Sequence, residues 1–197
     1  MLPKQFVFIG IALNFGGSID YFFSTLKGRV KPNKVTWFLW SLAPLIAFFS
    51  QLSQGVGAEA WMTFSVGAIP LFIFIASFFN QKSYWKLKSF DLFCGGLSLL
   101  GLFLWQLTRV GNIALLFSIM ADFLAGLPTM VKAFYYPETE KPLPYLTAAL
   151  NGFITLLTIE SWKIENYAFS LYIAVAMSIL YILIQFKIGP LFRKEII

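Results

Sequence analysis

The chain has 197 residues, of which 58% are apolar and only 12% charged, and its mean hydropathy is +0.75. A water-soluble domain is nearer half apolar and a quarter charged, so this composition excludes an ordinary soluble fold and puts lipid around most of the surface. The net charge of +6 is spread over the breaks between apolar runs, a pattern of topology and anionic headgroups rather than of nucleic-acid binding. One cysteine, Cys94, excludes an intramolecular disulfide and a thiol metal site, and the lack of histidine removes the commonest general base and zinc ligand. No cofactor, no metal and no enzymatic activity are therefore expected.

A spanning helix needs about 20 mostly apolar residues, and seven runs qualify: 5–26, 35–53, 60–79, 90–108, 113–133, 144–160 and 167–187. The first begins like a secretory signal, but its apolar character continues through Leu26 and no soluble domain follows, so it is expected to be retained. Its inward face carries Asn14, Gly17, Ser18, Tyr21 and Thr25 at helical spacing. Asp20, off that stripe, is expected to pair with Lys27 or Arg29. A basic turn with Lys27, Arg29, Lys31 and Lys34 then leads through Pro32 into the second run, whose stripe is Trp37, Trp40, Ser41, Pro44 and Phe48. The third offers Thr63, Gly67 and Pro70. The fourth contains Gly95, Gly96 and Gly101, a close-packing signal.

The fifth run places Ser118, Asp122, Ala125 and Thr129 on one face. An ionised carboxylate near the middle of a span costs about 2.5–3.5 kcal/mol, so Asp122 is expected to be protonated, paired or wet, and to hold a proton, a cation or a substrate hydroxyl, or else to bond a neighbouring helix. A second Lys-Pro turn, Lys141-Pro142, precedes the sixth run, which carries Thr147, Asn151, Thr155 and Thr158; the seventh offers Asn166, Ser170, Met177, Tyr181 and Gln185. Stripes of this kind line a polar cavity or form helix-packing seams. Pro44, Pro70 and Pro128 are candidate hinges, because each removes a backbone hydrogen bond inside a span. Trp61, Trp85, Trp162, Tyr84 and Tyr145, near the run ends, read as interfacial anchors.

If the N-terminus lies outside, twelve of the 15 basic residues fall on inner segments and only Lys4, Arg109 and Lys163 stay outside, which predicts an N-out, C-in orientation. The expected fold is an all-α membrane protein with seven transmembrane helices arranged 3+1+3. Residues 1–89 form one triple-helix repeat, 90–112 a linker helix, and 113–197 a second, parallel-oriented repeat with its tail. The candidate binding residues are Trp40, Asn151, Asp122, Asn14, Ser18, Trp37 and Thr147. A stacking Trp opposite amide and carboxyl groups suits a sugar-like or vitamin-like small polar solute. Lipids, and a proton or cation, are the other expected partners.

This layout, with Ala125-Gly-Leu-Pro-Thr-Met-Val-Lys132 in the fifth run, resembles the superfamily of SWEET sugar transporters, PQ-loop proteins and the KDEL receptor. Pro128-Thr129 stands where a PQ-loop protein has Pro-Gln. The resemblance implies alternating-access transport with pocket Trp and Asn residues near midplane, roles that fall on Trp40 and Asn151. It leaves a sorting receptor as the alternative, and a bacterial inner membrane is the expected location.

Overall fold

A computed structural model describes residues 2–53, 57–83, 85–108 and 111–194. These are helical throughout, with short turns and no strand among them. Seven long helices follow one another: α1 (Phe6–Leu26), α2 (Lys34–Ser53), α3 (Ala58–Ala76), α4 (Ser89–Thr108), α5 (Gly111–Tyr135), α6 (Leu143–Thr158) and α7 (Ile164–Gln185). A short α8 (Ile188–Lys194) is the last of the described elements. Local chemistry sets several ends. Gly28, at φ +71°, reverses the chain after α1, and Asn33 Oδ1 accepts the amides of Val35 and Thr36 to start α2. Asp91 Oδ2 accepts the Lys88 amide at the start of α4, and Pro144 sits in the first turn of α6, where its missing N–H has no helical partner to lose.

By length and composition α1 and the Asn166–Gln185 part of α7 are able to cross a membrane, and Ala60–Ala76, Ser89–Leu100 and Leu143–Thr158 are shorter apolar helices. The distribution of side chains runs opposite to that of a water-soluble bundle. Phe49, Phe78, Phe79, Phe93, Phe103 and Leu107 are more than half exposed, while Asn14, Ser18, Thr63, Asp122, Thr147, Asn151 and Thr155 are buried.

Helix order in space differs from order in sequence. α3 packs along both α1 and α2, and α7 likewise packs along both α5 and α6. Across the middle, α1 lies against α6 and α2 against α5, so exchanging each of α1–α3 for the matching member of α5–α7 reproduces the same neighbours. α4 rests on α5 and α2. There Gly95 faces Val35 and Leu39, too close for a Cβ, and Ser98 donates to the Ala121 carbonyl. Gly96 faces open space, so only Gly95 of that pair serves packing; the surroundings of Gly101 lie outside what the structure describes.

The α1–α6 seam is the tightest. Gly10 and Gly17, two helical turns apart, face Asn151 and Thr147 respectively, and a methyl group on either glycine would overlap the opposing side chain. At one end of the bundle the two Lys-Pro turns meet: the Lys31 amide donates to the Thr139 carbonyl at 3.1 Å. The 80–83 turn joins them there, with Asn80 Nδ2 donating to Leu26 O and Ser83 to Thr25 O. At the opposite end the Leu2 amide donates to Leu157 O, and Lys4 pairs with Glu160 at 3.1 Å.

Candidate functional site

The polar stripes of α1, α2, α3 and α6 are buried, and so are Asp122, Ala125 and Thr129 of α5; the side chain of Ser118 lies outside the described residues. In α7 Ser170 and Met177 are buried, whereas Asn166 and Gln185, at its ends, are exposed. Between the two triplets lies a cavity of about 50 Å³. At about 10–15 Å³ per water position, this is room for a few waters, and a hexose-sized solute needs the helices to part.

Five of the seven candidate binding residues line that cavity: Asn14 and Ser18 from α1, Trp37 and Trp40 from α2, and Asp122 from α5. The candidate hinge Pro70 joins them from α3, with Ile173 and Met177 from α7. Pro44 and Pro128 are buried inside α2 and α5 away from its walls. Trp40 is fixed by its Nε1, which donates to the Asp122 backbone carbonyl at 3.2 Å, and by Gly126, whose missing side chain makes room for the indole. Asp122 Oδ2 accepts from the Tyr172 hydroxyl at 2.7 Å. One hydroxyl pair, Thr129 to Thr36 at 3.1 Å, ties α5 to α2 beside the site.

Asn151 and Thr147 do not line the cavity. Both are spent on the seam between helices. Asn151 packs on Gly10 and donates to Ser65 Oγ at 3.3 Å, and the Thr147 hydroxyl donates back to its own helix at Leu143 or Pro144. They share a stripe with cavity-depth residues, but α1 approaches α6 so closely that the space they would have faced is filled.

Two other expectations are corrected. Asp20 pairs with Lys141, not with Lys27 or Arg29, because α6 lies alongside α1 and brings the second Lys-Pro turn to it. Tyr145 is not an interfacial anchor: it is 2% exposed and forms part of the cavity wall. Trp61 and Trp162 are exposed near helix ends, as anchors are, while Trp85 packs on Tyr136 at 5.7 Å with the rings tilted by 59°, and Tyr84 lies outside the described residues.

Tyr145 belongs to a cluster that sequence reasoning missed. Glu140, with no exposed side-chain surface, accepts hydrogen bonds from Tyr21 at 2.6 Å and Tyr145 at 2.9 Å and pairs with Lys132 at 2.5 Å. The Lys132 ammonium is buried too; it also donates to the Lys31 carbonyl and lies 4.9 Å from the Trp85 ring. Tyr21 and Lys31 come from the first triplet, and Lys132, Glu140 and Tyr145 from the second, so the cluster bolts the triplets together. Beside it the rings of Tyr21, Trp37, Trp40 and Tyr145 pack together with neighbouring centroids 5.0–6.5 Å apart, and those of Trp37, Trp40 and Tyr145 line the cavity. The signal in the sequence was a glutamate two residues before Pro142, in a turn where a second acid, Glu138, is exposed; nothing local separates the two.

Among the described residues no group of His, Cys, Asp and Glu is arranged to hold a metal ion. No protein-family model matches the chain, and neither a curated protein nor a solved structure matches it.

Proposed function

We propose that this chain is an integral membrane carrier for a small polar solute, with seven spanning helices in a 3+1+3 arrangement and an N-out, C-in orientation. Its site is the cavity between the triplets, opened to each face in turn. Relation to the SWEET, PQ-loop and KDEL-receptor superfamily is part of the same proposal, and rests on the layout and on the Ala125–Lys132 stretch. The observation that carries the carrier reading is that cavity walls come from both triplets, with Asn14, Ser18, Trp37 and Trp40 on one side and Asp122 and Tyr145 on the other. A rigid-body tilt of one triplet against the other changes access to such a site without unmaking either half. The membrane itself is supported by the exposed phenylalanines around a polar interior, since exposed apolar surface on this scale is stable only against lipid or a partner.

A receptor that grips a peptide carboxylate would want cations in the cavity. The lining residues include none, and Lys132 is committed to Glu140 below them. The test uses a Cys94→Ser background with single cysteines at Ser18 or Met177, probed in sealed vesicles with a membrane-impermeant maleimide. Labelling from both faces is expected. Labelling from one face only favours the receptor, and from neither a packed polar seam.

A further inference from the structure

On the carrier reading, the chemistry of the cavity wall narrows the solute. Among the described residues, Asp122 is the one acidic residue in the lining, and no Lys or Arg accompanies it. Below it, Lys132 is held by Glu140, the Lys31 carbonyl and the Trp85 ring. An anionic solute would therefore meet a carboxyl group and no counter-charge.

Aromatic faces dominate the same wall. Trp37, Trp40 and Tyr145 meet at centroid distances of 5.6, 6.4 and 6.5 Å with interplanar angles of 80°, 43° and 70°, so their faces point in different directions around one corner. Electron-rich aromatic rings lining a wall beside a carboxyl group attract an alkylated ammonium, which gains cation–π contact and loses little hydration. Most of the remaining wall is aliphatic: Val66, Ile69, Ala148, Ile173 and Met177. Such a wall suits methyl and methylene groups around a charge better than the many hydroxyls of a polyol, each of which would need a partner.

Besides Asn14, two polar residues of the wall carry a buried group without a hydrogen-bond partner, Trp37 at Nε1 and Ser18 at Oγ. An indole N–H only donates, so its missing partner is an acceptor. We propose that the cavity selects a small organic monocation carrying one hydrogen-bond acceptor. The ammonium sits against Trp37, Trp40 and Tyr145, Asp122 supplies the counter-charge, and Trp37 Nε1 with Ser18 meets the acceptor.

Choline serves as the probe, because 3,3-dimethylbutan-1-ol is its neutral isostere and tetramethylammonium its counterpart without the acceptor. Titrations of the purified full chain in lipid nanodiscs, followed by tryptophan fluorescence and thermal melting at constant ionic strength, compare these three with glucose and acetate. Saturable binding of choline is expected, with the neutral isostere about tenfold weaker or worse and tetramethylammonium intermediate. Asp122→Asn, which retains an acceptor for Tyr172, weakens choline about tenfold. Trp37→Phe, which removes an N–H that bonds nothing in the protein, erases the preference for choline over tetramethylammonium. Equal binding of choline and its neutral isostere, tighter binding of glucose, an unaffected Asp122→Asn variant, or no binding of any cation overturns the inference. The maleimide test above is independent of all these outcomes, so a two-faced cavity that ignores cations leaves the carrier reading standing and removes only this one.

Discussion

Glu140 and Lys132 show how little a single residue's sequence context reveals when its partners are remote. Tyr21 lies 119 positions from the glutamate it bonds, and Lys31 lies 101 positions from Lys132. In the sequence, Lys132 reads as one more inner-loop cation and Tyr145 as a belt aromatic. Asp122, Trp40, Trp37, Asn14 and Ser18 were legible for the opposite reason. A polar or aromatic side chain in the middle of an apolar run has few places to go, and helical spacing says which of its neighbours go with it. Asn151 and Thr147 satisfied the same rule and were misplaced, because spacing does not say whether a buried face meets a cavity or another helix. The buried pair makes a sharp energetic prediction. Removing one partner leaves an uncompensated charge, so Glu140→Gln or Lys132→Met alone lowers stability by about 3–5 kcal/mol. Replacing both with apolar residues, Glu140→Leu with Lys132→Met, restores much of that loss, although Tyr21 and Tyr145 then lack their acceptor. Thermal melting of the two single variants and the double one closes the cycle; singles that each cost less than about 1 kcal/mol would mean the cluster is wetted and does not clamp the triplets.

Helices were the most legible scale, since a run of about 20 apolar residues between polar breaks is long enough for a helix to bury or cover apolar surface along its whole length. The expected runs and the observed helices differ by a few residues at their ends; α5 extends to Tyr135 and α3 stops at Ala76. α8 was not anticipated. It is seven residues long, begins after Lys187 at φ +50°, and folds back so that Gly189 meets the Phe134 carbonyl on α5. A short segment of that kind has no periodicity to read. Packing between helices was legible only as the presence of small residues, not as their partners. Gly10 and Gly17 belong to the α1–α6 seam, and the opposing residues at Asn151 and Thr147 are more than a hundred positions away. Gly17→Ala would press its new methyl into Thr147 and destabilise the fold by about 1–3 kcal/mol. Adding Thr147→Gly opens the matching space, so the double variant is expected to melt above Gly17→Ala even though it gains a helical glycine costing about 1 kcal/mol. A double variant no better than the product of its singles would show that the two residues do not face each other.

At the scale of the whole molecule, the neighbour relations α1 with α6 and α2 with α5 make the interface between triplets nearly self-similar, yet its two ends are fastened differently. One end holds Lys31 to Thr139, Lys132 to Glu140 and Lys31, and Asp20 to Lys141, all between the two Lys-Pro turns and the helices flanking them. The other end holds Leu2 to Leu157 and the exposed pair Lys4 to Glu160. An exposed ion pair contributes at most about 1 kcal/mol, whereas the buried cluster resists separation because opening it strands charges. On the proposed carrier reading, the Lys-Pro turns must part to expose the cavity on their side. Cysteines in place of Lys31, which is exposed, and Thr139, in a Cys94→Ser background, allow a short bifunctional maleimide to fasten those turns covalently. A third cysteine at Met177, protected during cross-linking from the far face, then reports access. Fastened protein is expected to lose labelling at Met177 from the side of the turns while keeping it from the other, at a rate at least as high as before, because a clamp on one end favours opening at the opposite one. Unchanged labelling from the side of the turns would mean that the cavity reaches that face by another route and that the basic turns do not gate it.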